Sequence, residues 1–405
     1  MTRIVQKYGG TSVATPGKLR LVARRVRESL RNDVEAVVVV SAMGDTTDEL
    51  IALAHQVTSD PPSREMDMLL SAGETISAPL LAMALEAAGT AAVSLTGVQA
   101  GIRTSRAHRT ARIVDIVPQR VLDELAAGRV VVVAGFQGVT DEMEVTTLGR
   151  GGSDTSAVAL AVALGADRCE ILSDVAGVHT ADPRLVPDAR VIPEIAYDEM
   201  LEFAAAGAVV VQPRAVEIAE AYSMAIEVRS TFDEGTGTVI CRHPRMEERQ
   251  KVRGIAHQND VAKVTLLRVP DRPGVAASIF DPFGQQGINV DIIVQNLAHD
   301  GTTDVSFTIA ESDLRRARMM LGAVARDVGA QGYMATADIA KVSVVGTGLR
   351  GTPGIFAKVF RTLAGAGINI EMISTGEIHL TCIIERERVG DAVRALHTAF
   401  ELEKI

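Results

Sequence analysis

The chain has no tryptophan, four tyrosines and nine phenylalanines, so aromatics make up only 3% of its 405 residues. That scarcity argues against a stacking platform for single-stranded nucleic acid. Positive charge is short as well: 41 Lys and Arg stand against 51 Asp and Glu, a net charge of −10. No global basic field draws the chain to nucleic acid or to an anionic membrane. Cysteine is nearly missing. Cys169, Cys241 and Cys382 are far apart and have no metal-ligand spacing, which predicts reduced thiols and a cytoplasmic setting, with no certain metal site. No uninterrupted apolar run reaches the length that spans a bilayer, and the first residues are expected to lead straight into a strand, with no signal peptide expected.

What the chain does have is glycine placed where β-prone runs end. Residues 5–12 read VQKYGGTS and residues 147–155 read TLGRGGSDT. Glycine lets backbone N–H groups approach a bulky anion, and a phosphate held by loop amides and a helix N-terminus needs few charged side chains. A lysine, an arginine and an aspartate sit among these glycines, a combination suited to phosphoryl transfer from a nucleotide. Either loop alone could be a tight turn; two of this composition favour a kinase.

The length fits two to three domains. Strand-length apolar runs recur at 37–40, 91–95, 130–134, 170–172 and 225–228, with helical patterns at 17–30, 67–86 and 154–164 between them. Runs apolar on both faces predict an α/β fold, a mostly parallel sheet in an αβα sandwich, over residues 1–240. Residues 241–251 (CRHPRMEERQK) are charged and aperiodic and read as a linker.

The remainder contains an internal repeat. RPGVAASIFDPFGQQGINVDIIVQ at 272–295 matches TPGIFAKVFRTLAGAGINIEMIST at 352–375 with a constant offset of 80 residues. A gapless offset means two copies of one supersecondary unit. The first copy, 261–337, is completed by a strand at 302–309, a helix at 312–328 and a strand at 331–335, which makes a ferredoxin-like βαββαβ unit. The second has strands at 341–345, 368–374 and 378–384 and helices at 354–365 and 388–400, and too little chain follows for a fourth strand. Residues 252–257 form an unassigned apolar segment. They are expected to close the second sheet, so that the first unit is inserted in the second (252–260 plus 338–405).

These residues resemble the aspartokinases of the amino-acid kinase superfamily along nearly the whole chain. KYGGTS at 7–12, VSAMG at 40–44, SAGE at 71–74, TLGRGGSDT at 147–155, DVAGVHTADPR at 174–184 and VRSTF at 228–232 occur in the family's order, and the repeat resembles its tandem ACT domains. The resemblance implies transfer of the γ-phosphoryl of ATP, with Mg2+, to the side-chain carboxylate of L-aspartate, giving 4-phospho-L-aspartate on the way to lysine, threonine, methionine and isoleucine. It implies Lys7 and Asp154 as catalytic residues. Substrate contacts fall to Thr47, Glu74, Arg150, Gly151, Gly152 and Ser153. ATP contacts fall to Lys7, Tyr8, Gly9, Gly10, Ser41, Ser173, Asp174, Asp182, Pro183 and Arg184. Lysine, threonine or both are expected at Asp271, Gly274, Ala276, Asn289, Val290, Asp291 and Gln295, inhibiting the distant kinase site. A homo-oligomer through the ACT units is expected, together with a shorter regulatory subunit from an internal start at Met246, as in several relatives.

The residues also leave other readings. Glu74 fits a helix-surface acid, and Asp154 fits an N-cap. Val209 and Gln212 stand where many relatives carry lysine and histidine, and Gly376 and His379 where serine and arginine are expected. Gly17-Lys18 tempts a phosphate-loop reading but lacks the spacing and the following Ser or Thr. Residues 346–351 spell GxGxxG, with Glu371 about twenty residues on, yet too little chain follows for a dinucleotide fold. The competing functions are a kinase for another amino acid such as glutamate, and a non-catalytic amino-acid sensor.

Overall fold

The computed structural model describes residues 2–30, 34–242, 251–297, 301–349 and 352–404. Met246 and most of the expected linker lie outside the described residues. The chain forms two compact bodies. One comprises Met1–His179, Val191–Ala205 and Val209–Arg249; the other comprises Thr180–Arg190, Ala206–Ala208 and Gln250–Ile405.

The first body contains β1 (Thr2–Tyr8), β2 (Val34–Val40), β3 (Ala92–Leu95), β4 (Ile102–Thr104), β5 (Ile113–Ile116) and β6 (Val130–Ala134). It continues through β7 (Gln137–Val139), β8 (Val145–Thr147), β9 (Arg168–Ser173), β10 (Glu194–Ala196), β11 (Ile226–Ser230) and β12 (Thr238–Cys241). Eight of these make one sheet in the order β10-β12-β11-β9-β1-β2-β6-β3, parallel except at β11–β12. The other four make a small sheet, β5-β4-β7-β8, which the sequence analysis does not anticipate.

Successive strand residues point to opposite faces. Tyr8, Val38, Val40, Val132 and Ala134 pack under the helices Pro16–Ser29 and Ser63–Ala87. Lys7, in register with Val39 and Ile171, emerges on the other face. There lies the helix Gly152–Ala163, buried from Gly152 to Ala161. The register of β1 thus sends its lysine to the start of that helix. Ser63–Ala87 is, by length and composition, apolar enough to cross a membrane, although Ser71, Glu74, Thr75 and Ser77 interrupt its apolar run. Here its inner side carries Leu70, Ala78, Leu81 and Leu85 into the core.

In the second body, β13 (Gly254–Gln258), β14 (Ala262–Pro270), β15 (Val290–Leu297), β16 (Thr302–Ile309), β17 (Gly332–Thr336), β18 (Ile339–Val345), β19 (Met372–Thr375) and β20 (His379–Glu385) form two four-stranded sheets. Their orders are β15-β16-β14-β17 and β13-β18-β20-β19. The first sheet is a complete ferredoxin-like unit. In the second, β13 takes the place of the missing fourth strand, pairing antiparallel with β18 from Gly254↔Val345 to Gln258↔Lys341. The first unit is therefore inserted in the second. β19 is shorter than the expected 368–374, because Ile368 turns into the apolar core with Leu363 and Leu380 instead of extending the strand. The glycines of the GxGxxG motif have a packing role. A Cβ at Gly348 would lie 2.3 Å from the Lys251 Cα, so Gly348 allows the chain leading to β13 to pass; Arg350 and Gly351 lie outside the described residues.

Candidate active site

An open cleft of about 870 Å³ lies in the first body, at the carboxyl end of β1. Among its lining residues are Lys7, Gly10, Ser41, Thr47, Glu74, Arg150, Gly151, Gly152 and Ser153, brought together from positions up to 146 residues apart. Carboxyl ends of parallel strands are where open α/β sheets bind ligands. The Lys7 Nζ lies 2.7 Å from the Asp154 Oδ1, and both side chains are nearly buried. Asp154 sits in the first turn of its helix, and the N-cap position belongs to Gly151; the aspartate holds the lysine instead of capping.

Gly151 has φ +67, and a Cβ there would fall 1.5 Å from the Gln212 Cγ. Gln212, one of the positions where the sequence departs from the family pattern, thus packs on the glycine loop. Its backbone N–H also donates to the Asp154 Oδ2 at 3.3 Å.

Glu74 lies on the buried side of the helix Ser63–Ala87, with Asp67 and Leu70 at helical spacing. Its Oε1 accepts the Ala42 N–H at 3.0 Å. Its Oε2 is buried without a hydrogen-bond partner among the described residues. Burial pushes this carboxyl up to about 7, against the lowering effect of the Ala42 bond. A buried carboxylate with an unused oxygen facing a cleft is matched to a cation that the protein does not supply.

Other expected residues stand apart from the cleft lining. Tyr8 is fully buried, its hydroxyl raised far above its usual range by desolvation. The Gly9 N–H already donates to the Leu172 carbonyl at 3.0 Å, so this amide is committed to the sheet and not open to a phosphate. Ser173 ends β9, and its Oγ accepts the Val175 N–H at 3.2 Å. Asp174 follows it. Asp182, Pro183 and Arg184 belong to the second body, where the Arg184 guanidinium 2.7 Å from Asp182 holds that carboxyl below its usual range.

In the first ferredoxin-like unit, Asp271, Gly274, Ala276 and Gln295 line a basin of about 390 Å³, whereas Asn289, Val290 and Asp291 do not. Asp291 is ion-paired with Lys341, whose ammonium is held below its usual range by burial.

Several cleft residues carry no signal in the sequence: Asp48, Ile51, Leu70, Arg109, Thr110 and Phe136. The apolar ones are walls that any core run would supply. Asp67, fully buried behind them, is also missed, although its seven-residue spacing from Glu74 on one helix was a signal.

Residues 2–230 match the amino acid kinase family, and residues 263–320 and 342–400 each match an ACT domain. The chain is 48% identical over 408 residues to an aspartokinase of Mycolicibacterium smegmatis, covering 99% of this chain and 97% of that one. It is 48% identical over 404 residues to an aspartate kinase of Stutzerimonas stutzeri, covering 100% and 98%. The solved structure of E. coli aspartokinase III in complex with aspartate and ADP, an R state, superposes with a TM-score of 0.82 at 26% identity, covering 98% of this chain and 99% of that one. The same enzyme in complex with lysine and aspartate, a T state, gives 0.78 at 26% identity and the same coverage.

Proposed function

The chain belongs to the aspartokinases of the amino acid kinase family, and on that premise we propose how its cleft divides the work of passing the γ-phosphoryl of ATP to the side-chain carboxylate of L-aspartate. The nucleophile is a carboxylate with an ordinary pKa of about 3.9, ionised at neutral pH, so no general base is required. Catalysis rests on positioning and on charge stabilisation. Lys7, oriented by Asp154, meets the charge that develops on the transferring phosphoryl group. Ionised Glu74 takes the substrate ammonium on its unused oxygen. Arg150 offers a fork to a carboxylate beside the start of the helix Gly152–Ala163, and Thr47, Gly151, Gly152 and Ser153 complete that end of the cleft. Gly10 and Ser41 line the part of the cleft left for the nucleotide, and Ser173 and Asp174 of the same body are assigned to it by family likeness. The observation that carries the reading is the partnerless Glu74 oxygen sharing one cleft with the Lys7–Asp154 pair and Arg150.

Among the described residues no three His, Cys, Asp or Glu side chains cluster as a metal cage. The donor set would fit a Mg2+ that keeps its waters and is held chiefly by the nucleotide phosphates, with Asp154 as the cleft carboxylate that would hold it. When bound, the ion neutralises phosphate charge.

Feedback by lysine, threonine or both belongs to the same reading. An amino-acid carboxylate fits the Pro273-Gly274 turn that opens the helix Val275–Gln285, with Asp271 and Gln295 beside it. Inhibition at a distance requires a coupling free energy of about 1–3 kcal/mol. Assembly through the ACT units, and a shorter subunit from Met246, complete the proposal, in a cytoplasmic setting. A coupled ATP assay across an amino-acid panel tests it. Turnover is expected with L-aspartate and not L-glutamate, and millimolar lysine or threonine lowers it. Turnover with glutamate alone, or with neither, overturns the substrate assignment.

A further inference from the structure

We propose that Arg109 is a second guanidinium reading the α-carboxylate of the substrate, and that the buried carboxylate of Asp67 is the positioning residue that holds Arg109 at the cleft. The inference rests on the aspartate reading above and deepens it. Arg109 lines the cleft together with Arg150. Its backbone is left-handed, φ +66, an uncommon conformation for a residue with a long side chain. Such a conformation persists only when the surroundings over-determine it, and here the determinant is Asp67. Both Asp67 oxygens accept the Arg109 N–H at 3.0 Å. The Asp67 Oδ2 also accepts from the His108 Nδ1 at 2.8 Å, and the Oδ1 accepts from the Thr147 Oγ1 at 2.6 Å.

Asp67 is fully buried on the helix that carries Glu74. A carboxylate withdrawn from water is tolerable only with its oxygens satisfied, and its donors come from the loop carrying His108 and Arg109 and from Thr147 where β8 ends and the glycine loop begins. The Ala111 N–H adds a bond to the Thr147 carbonyl at 3.0 Å, joining these loops directly. One helix therefore presents two acids with different tasks. Glu74 keeps an oxygen for the substrate, whereas Asp67 spends both on the loop that carries Arg109. The substrate brings two carboxylates and one ammonium. With the side-chain carboxylate at Lys7 and the ammonium at Glu74, the α-carboxylate faces two guanidinium groups, and Arg109 has no carboxylate partner of its own among the described residues.

The test uses the full chain and two ligands: L-aspartate as substrate, and its α-amide, isoasparagine, as an inhibitor competing with it. The amide keeps the ammonium and the side-chain carboxylate and loses only the α-charge. Arg109→Ala is expected to raise the KM for aspartate about tenfold, the size of one charge-assisted hydrogen bond, while leaving the KM for ATP and the Ki of isoasparagine within roughly twofold. Asp67→Asn is expected to raise the aspartate KM to a similar degree, and the double variant to be no worse than Arg109→Ala alone, because the two act as one unit. Equal losses for aspartate and isoasparagine, or no loss for either, overturn the role of Arg109. Additive losses in the double variant overturn the positioning role of Asp67. If Asp67→Asn fails to fold, the Arg109→Ala comparison still decides the central point. Absence of wild-type turnover with aspartate would instead refute the functional reading.

Discussion

At the residue scale, Glu74 makes the sharpest prediction. Its carboxyl stands at about 7 in the fold against about 4.3 in an unfolded chain. A raised acid favours the fold below the unfolded value and loses that contribution as pH rises through the folded one. Ionised Glu74 should therefore cost the empty enzyme roughly 4 kcal/mol once the pH is well above 7. Glu74→Gln is expected to match the wild type in thermal unfolding at pH 4 and to be more stable at pH 8.5. It should also raise the KM for aspartate strongly. Because the substrate ammonium needs the ionised form, wild-type kcat/KM for aspartate should climb with pH and level off above about 7; a profile flat from pH 6 to 8 would refute this assignment. Lys7, Glu74 and Arg150 were legible because each sits in a motif whose neighbours are special. Asp67 and Arg109 were not, because a loop reading HRTAR carries no pattern until the fold brings it to a buried carboxylate.

At the element scale, the long strands and helices of both bodies were legible from period and length. The small sheet β5-β4-β7-β8 was not, since strands of three or four residues give too short a pattern to separate from loop. What joins the elements at the cleft is close approach. Gly73 lies on the Glu74 helix, and a Cβ there would come 2.8 Å from the Cβ of Ala42, the residue whose N–H anchors Glu74. Gly73→Ala is expected to push the helix and the 41–44 turn apart, costing about 1–3 kcal/mol of stability and weakening aspartate binding more than ATP binding. Unfolding midpoints and the two KM values measured on one preparation would check it; an unchanged KM for aspartate would show that the contact does not set the cleft.

At the scale of the whole molecule, the repeat and its missing strand made the insertion legible before any coordinates. The fate of residues 180–190 was not legible, because nothing in DPR distinguishes a nucleotide loop from a packing segment. Ala181 and Val186 lie in the apolar core of the second body, and the Thr180 Oγ1 sits 2.9 Å from the His397 Nε2. A fragment 246–405 keeps β13, whose Ile255 is buried in that core, and a fragment 261–405 loses it. The longer fragment should melt higher by roughly 10 °C or more, although below the stability the same region has with residues 180–190 in place. Equal melting of the two fragments would contradict the role of β13.

The central claim is that this cleft transfers a phosphoryl group with Lys7 as its charge stabiliser. Its most direct test is the rate at which aspartyl phosphate, trapped as the hydroxamate, forms under saturating ATP, Mg2+ and L-aspartate in wild type and Lys7→Ala. The account predicts a kcat lower by about 10²–10³ in the variant, as for loss of one transition-state donor, with the KM for aspartate changed far less. A Lys7→Ala enzyme that turns over at the wild-type rate would contradict it.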